Sequence, residues 1–265
     1  MVLQPHLTLT LEALGSSGVV LPLEQKAILA HSLPIKQAKA GLRNLTLWGK
    51  VTARNGKDYL IAQGMGKLMP GQLLRTALKY SFSQDGVKWV DLEALSDEVA
   101  SKAAGITGML SGEPAKAYTV QVPGAAPVAE EEEAAEGAPA GSQVSELQRL
   151  RSIVDVISAD TSVVPKGSLR LDASGQVVPN DGFQGVAYPD KLESYIHGMD
   201  GPEGVCLAKD IQGMWALQYD SFQGLISMRS LIWPGYQFYY STATRAWGSL
   251  YSGNGCKNND LVFML

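Results

Sequence analysis

Apolar and polar residues alternate with three different rhythms along this chain, and each rhythm predicts a different kind of element. Near the N-terminus, Leu7 to Leu14 closed by Gly15 reads as a short helix. A second helix of about three turns is framed by Pro22 at its start, Glu24 in its first turn and Pro34 as its stop. The period then changes to two. Leu45, Leu47, Gly49 and Val51 alternate with Thr46, Trp48, Lys50 and Thr52, and a second strand runs from Tyr59 to Gln63. Asn55-Gly56 between them predicts a tight hairpin with both turn residues at positive φ. Thr76 to Phe82 and Val87 to Val90 form a further hairpin around Asp85-Gly86. Ser96 caps a helix that has Asp97 and Glu98 in its first turn and Gly105 past its end.

Residues 123–142 follow none of these rhythms. They hold seven Ala, five Glu, three Pro and three Gly, with Val128 as the one large apolar side chain. Such a stretch buries too little surface to offset its ordering entropy, and Glu130 to Glu133 repel one another. It is read as a disordered acidic linker, with solvation as its default role and partner binding as the alternative. Beyond it, Val144, Leu147, Leu150, Val154 and Ile157 recur at helical spacing as one apolar face, with Glu146, Arg149, Arg151 and Asp155 elsewhere on the cylinder. Residues 162–182 are rich in turns. Trp215 to Tyr219, Leu225 to Ile232, Tyr236 to Tyr240 and Trp247 to Tyr251 then read as four strands of an antiparallel meander. The predicted fold is therefore α+β: a mixed, mainly antiparallel sheet with a few packed helices. Its parts are 1–122 (helices and hairpins), 123–142 (linker) and 143–265 (helix and meander), with the two outer parts packing as one body.

Composition narrows the function. The net charge of −4 arises from 22 Lys/Arg and 26 Asp/Glu. The linker carries five of those acids and no base, so the rest of the chain lacks the clustered basic footprint that nucleic-acid binding needs. Two cysteines, Cys206 and Cys256, make neither a disulfide framework nor a four-sulfur metal site. Glu12 interrupts the one candidate leader, and no run of about 18 apolar residues predicts a membrane helix. A soluble intracellular protein is expected.

Catalytic patterns are weak. His6, His31 and His197 are not at metal-ligand spacing, and a zinc site would have to gather His197, Cys206 and Cys256 from scattered positions. Gly64-Met65-Gly66-Lys67 fails the phosphate-loop pattern, because Ile61 stands where the first glycine belongs and Leu68 where Ser or Thr should follow. No Gly-x-Ser-x-Gly elbow is present, and Asp181, Asp190, Glu193, Asp200 and Glu203 lack a calcium-loop pattern. No catalytic, cofactor or metal residue is therefore assigned. The aromatic tail is distinctive instead, since 11 of the 20 aromatic residues lie between 211 and 265. Those residues can be core. Because Tyr239 and Tyr240 point to opposite faces of a strand, one face can also be exposed for binding, with Tyr236, Tyr239, Trp247 and Tyr251 as candidate interface anchors.

The C-terminal residues carry a resemblance. Arg229-Ser230-Leu231-Ile232-Trp233-Pro234-Gly235, Phe238-Tyr239, Tyr251-Ser252-Gly253-Asn254-Gly255 and the closing Lys257-Asn258-Asn259-Asp260-Leu261-Val262-Phe263-Met264-Leu265 closely resemble the ending of the radial spoke head protein 9 family. Trp48-Gly49 followed by Tyr59 to Gly64 is similar to that family's first hairpin, and Pro165-Lys166-Gly167 also fits. The Ala/Glu-rich linker and Cys256 depart from the pattern. The resemblance implies a non-enzymatic structural subunit of the radial spoke head in the axoneme of motile cilia and flagella. It implies radial spoke head proteins 4 and 6 as paralogous partners, the MORN-repeat head proteins 1 and 10 as neighbours, and a share in relaying central-pair signals to dynein. It implies no cofactor. The rival readings are a small-ligand or enzymatic domain using the Gly64–Lys67 loop and a signalling adaptor outside cilia.

Overall fold

The computed structural model describes residues 7–15, 18, 21–66, 77–119, 143–173 and 177–264. The expected linker 123–142 and Lys67 lie outside the described residues. Helices α1 (Leu7–Gly15) and α2 (Leu23–Ala40) lead into strands β1 (Arg43–Val51), β2 (Tyr59–Met65), β3 (Leu78–Ser83) and β4 (Val90–Leu92). Helix α3 (Asp97–Ala104) and strand β5 (Ala117–Thr119) follow. After 120–142 come β6 (Gln143–Ser145), α4 (Glu146–Thr161), β7 (Val163–Pro165), β8 (Leu169–Leu171), β9 (Val177–Pro179) and β10 (Tyr195–His197). The meander is β11 (Trp215–Asp220), β12 (Leu225–Ser230), β13 (Tyr236–Ser241) and β14 (Trp247–Gly253), and the single turn α5 (Leu261–Met264) ends the chain.

Eight strands form one sheet in the order β11-β12-β13-β14-β1-β2-β3-β4. Every neighbouring pair is antiparallel except β1 and β14, which run parallel through Gly49↔Tyr251, Lys50↔Ser252 and Val51↔Gly253. The sheet thus joins strands from both sides of residues 123–142. Thr119 pairs with Gln143 across β5 and β6, so the two ends of the intervening segment are held side by side. Among the described residues no helix is long and apolar enough to cross a membrane.

The α+β expectation holds, with the meander strands within a few residues of their predicted limits. Three local expectations fail. Helix α2 runs through Pro34 to a left-handed Gly41 cap, whose N–H bonds the Gln37 carbonyl. Proline removes the bond to the Ala30 carbonyl. Here Ala30 and Pro34 are both exposed, so water can take that acceptor. Contacts on both sides of Pro34 hold the helix down: Trp89 Nε1–H donates to Ser32 Oγ at 3.1 Å, and Lys36 pairs with Asp91 at 2.7 Å. The Asn55-Gly56 turn is wider than a two-residue hairpin, and of the pair only Gly56 has positive φ. The reason is a neighbour. Residues 110–112 run alongside, with Arg54 N–H on the Leu110 carbonyl and Asn55 N–H on that of Ser111. In the next hairpin, the return strand starts at Val90, not Val87, because Asp85 Oδ1 holds the amides of Val87 and Lys88 in the turn.

Both faces of the sheet are covered. One packs on α4, with Trp48, Tyr59, Tyr80, Phe238, Tyr240 and Tyr251 in the largest buried cluster. The other packs on α1 and α2 through Leu14, Leu29, Leu33, Leu47, Leu60 and Tyr239. Joining across β1–β14 leads to an expected result. A chain opened by a protease site engineered into 123–142 should keep both fragments together in gel filtration and melt in one transition, because the non-local strand pair and the shared core remain intact. Two separately eluting fragments would refute this.

Candidate functional site

The helix that follows residue 142 is the centre of the described polar groups. Its start is fixed locally by a capping box: Ser145 Oγ accepts from Gln148 N–H at 3.2 Å, and Gln148 Oε1 accepts from Ser145 N–H at 2.9 Å. The next residue, Glu146, is fully buried. Its carboxylate accepts from Tyr59 Oη–H at 3.1 Å, from the Gly112 N–H at 2.8 Å and from the Tyr118 hydroxyl. A carboxylate accepts only, and this donor set matches it. The position in the first turn adds the favourable end of the helix dipole.

One turn on, Arg149 gives Nη–H bonds to the Gly108 and Met109 carbonyls and stacks over the Tyr118 ring at 5.1 Å. Arg151 pairs with Asp155 at 2.7 Å, donates to the Leu92 carbonyl at 3.2 Å and lies 4.7 Å above the Tyr80 ring. Ser158 Oγ accepts from Trp48 Nε1–H at 3.0 Å and from Tyr80 Oη–H at 3.1 Å. Asp160 closes the row, accepting from Trp233 Nε1–H at 2.9 Å and from Lys257 Nζ at 3.1 Å. One helix therefore binds the 108–112 loop, β5, β2, β4, β3, β1 and the C-terminal motif. Helical spacing sets Glu146, Arg149 and Arg151 off the apolar stripe. They are buried, because loop and sheet cover the helix on more than its apolar side. The Ser145-x-x-Gln148 box was the available signal for where this helix begins.

The C-terminal motif is an interlock. Gly235 takes φ 103°, and a Cβ there would stand 2.3 Å from the Ser252 carbonyl oxygen. Gly253 is equally close-packed, with its virtual Cβ 2.4 Å from the Pro234 oxygen. Tyr251 Oη accepts from the Gly255 N–H at 2.9 Å, and the Asn258 N–H reaches the Ile232 carbonyl at 2.8 Å. Gly235 and Gly253 are thus required where two backbones touch.

The four tail aromatics proposed as anchors, Tyr236, Tyr239, Trp247 and Tyr251, are all buried within the chain. Tyr239 and Tyr240 do point to opposite faces, but helices or loops cover both, so neither face is left as an exposed aromatic strip. The largely exposed rings are others: Phe222 at 97%, Phe263 at 88% and Tyr188 at 62%. Gly64 is also a packing residue, inside β2 with Leu42 and Leu45 against its Cα. Gly66 N–H bonds the Ala77 carbonyl. His197 bonds Asp210 at 3.0 Å, and Asp210 also accepts from Trp215 Nε1–H at 2.7 Å. Cys206 and Cys256 are free thiols. Among the described residues no group of three His, Cys, Asp or Glu could hold a metal ion.

Burial dominates the titration of the core phenols. It pushes Tyr80, Tyr236 and Tyr251 up to about 12, from an ordinary value of 10.0. Burial, reinforced by Glu146, also raises Tyr59 and Tyr118. For a phenol raised in the folded state, the stabilisation is complete below the unfolded value near 10 and disappears as pH climbs through about 12. Melting temperature should therefore fall steeply across that alkaline window. Tyrosinate absorbance for these residues should rise only with unfolding. A folded-state absorbance rise from pH 10 large enough to account for all ten tyrosines would contradict their burial.

These features define a class: an α+β protein organised on one mixed sheet, whose densest set of polar groups is closed inside the body and joins its segments. No family model matches the chain. It is 33% identical to the radial spoke head protein 9 homologue of Xenopus tropicalis over 98% of each chain. It is 30% identical to that of Danio rerio over 97% of each, and 29% identical to that of Homo sapiens over 98% of each. The chain belongs to the radial spoke head protein 9 family, a family of the ciliary and flagellar axoneme.

Proposed function

We propose that the chain is a non-enzymatic structural subunit of the radial spoke head in motile cilia and flagella. It assembles with the paralogous radial spoke head proteins 4 and 6, has the MORN-repeat head proteins 1 and 10 as neighbours, and helps relay central-pair signals to the dyneins. The observation that carries this reading is the likeness to radial spoke head protein 9 homologues along almost the whole length of both chains. The helix α4 network supports it: the charged groups an enzyme would turn toward substrate are here spent on loop carbonyls, phenols and indoles. A subunit in a mechanical relay needs that kind of internal cross-bracing. In this reading Tyr236, Tyr239, Trp247 and Tyr251 serve assembly by fixing the shape of the sheet. Exposed side chains such as Phe263 make the contacts.

The test is biochemical. Salt extracts of motile axonemes, run on a density gradient and followed by mass spectrometry, should carry this chain in a large particle with head proteins 4 and 6. Recovery as a free 28.3 kDa species in the soluble cell body would end the proposal.

A further inference from the structure

The two ends of the eight-stranded sheet differ. At one end β4 has three residues, while at the other β11 has six and is the outermost strand. Long outer strands are usually blunted by lysine, proline or a bulge, because their outward N–H and C=O groups template another strand. The stretch Met214–Tyr219 contains neither residue, and its pairing with β12 runs without a register shift.

Hydrogen bonds fix which groups look outward. Leu231 N–H donates to the Met214 carbonyl at 2.9 Å, and Trp215 lies opposite Ser230. In an antiparallel ladder this makes Ala216, Gln218 and Asp220 the residues that exchange bonds with β12. The backbone groups of Trp215, Leu217 and Tyr219 then face the open side. The neighbouring ladder agrees: Thr242 N–H donates to the Gly224 carbonyl, which assigns Leu225, Ser227 and Arg229 to β11. Tyr219 is 43% exposed on this edge.

We propose that β11 is a self-association edge, pairing antiparallel with β11 of a second copy of this chain about a two-fold axis at Leu217. The strand is suited to itself. In that register Leu217 faces Leu217, Tyr219 faces the second copy's Trp215, and Gln218 faces its Ala216. Asp220, the one charged residue of the strand, falls opposite Met214, so no like charges meet. Every outward N–H and C=O between Trp215 and Tyr219 gains a reciprocal partner. This pairing does not depend on the spoke-head reading above.

Sedimentation equilibrium of the purified full chain over a concentration series should show a dimer. Leu217→Pro removes an outward N–H and no bond to β12, and Leu217→Lys sets two like charges face to face. Each should raise the dimer dissociation constant roughly tenfold or more, while the circular dichroism spectrum and a cooperative melt are retained, at a lower midpoint because Leu217 also packs on the main apolar cluster. Mixing Leu217→Lys with Leu217→Glu chains should restore a mixed dimer. A full chain that remains monomeric throughout the series overturns the proposal. So does a dimer that neither substitution weakens.

Discussion

Glu146→Ala should destabilise the isolated chain by about 3–5 kcal/mol, because it strands buried donors rather than merely deleting a contact. Tyr59 Oη–H, Tyr118 Oη–H and the Gly112 N–H all converge on this one carboxylate. Alanine leaves Tyr59 Oη–H and the Gly112 N–H facing a small void with no acceptor of their own, while the half-buried Tyr118 hydroxyl keeps the Ser111 side chain beside it. The loss also reaches beyond the helix, since the 108–112 loop would give up its anchor while Arg149 still pulled on the Gly108 carbonyl. For a chain of this size that is about 6–20 °C of melting temperature. Glu146→Gln keeps one acceptor oxygen and should cost about 1–2 kcal/mol. Urea unfolding followed by circular dichroism decides the matter. A loss below about 1 kcal/mol for the alanine variant would mean that the donors find other acceptors.

The second large effect is expected at a glycine. Gly235→Ala should cost about 3 kcal/mol or more, for two separable reasons. Its φ of 103° strains any L side chain, and the new Cβ would press within 2.3 Å of the Ser252 oxygen. Gly41→Ala supplies the control. It has φ 60° and open space around the virtual Cβ, so only the conformational strain of about 1–2 kcal/mol applies. The difference between the two midpoints measures the close approach of the Trp233–Gly235 turn to the end of β14. Equal losses would show that the two segments can part cheaply, and that the motif is not a clasp.

That clasp explains why the C-terminal residues are so distinctive as a sequence. Trp233, Gly235, Tyr251, Gly253, Gly255 and Lys257 are each held by a specific contact, most of them with another part of the same motif. Size, backbone freedom and donor position are fixed together there, so few substitutions fit. The network on α4 uses ordinary residues, Glu, Arg, Ser and Asp, and their types alone do not mark them as buried.

Elements set by local rules were legible in the sequence. The meander from Trp215 to Tyr251 announces itself because alternation and turn residues act over a few positions, and the structure places β11 to β14 there. The same holds for the α3 boundaries at Ser96 and Gly105, although Ser96 makes no side-chain capping bond, and for the apolar stripe of α4 from Leu147 to Ile157, whose predicted first member Val144 instead lies in β6. What tertiary structure alone decided depends on groups far apart in the chain. The parallel pairing of Gly49 with Tyr251 joins residues separated by some two hundred positions, and no periodicity encodes a partner. Pro34 stays inside a helix whose flanking residues Ser32 and Lys36 are tied to Trp89 and Asp91, contacts that no local pattern encodes. The burial of Glu146, Arg149 and Arg151 follows from loop 108–112 and strands β4 and β5 closing over the helix. The tail aromatics were visible as a cluster, but only the packing of α1 and α2 on one face, and of α4 together with Phe183 and Tyr195 on the other, made them core. A side chain's pattern tells which way it points from its own strand or helix, and only the assembled layers determine what it meets there.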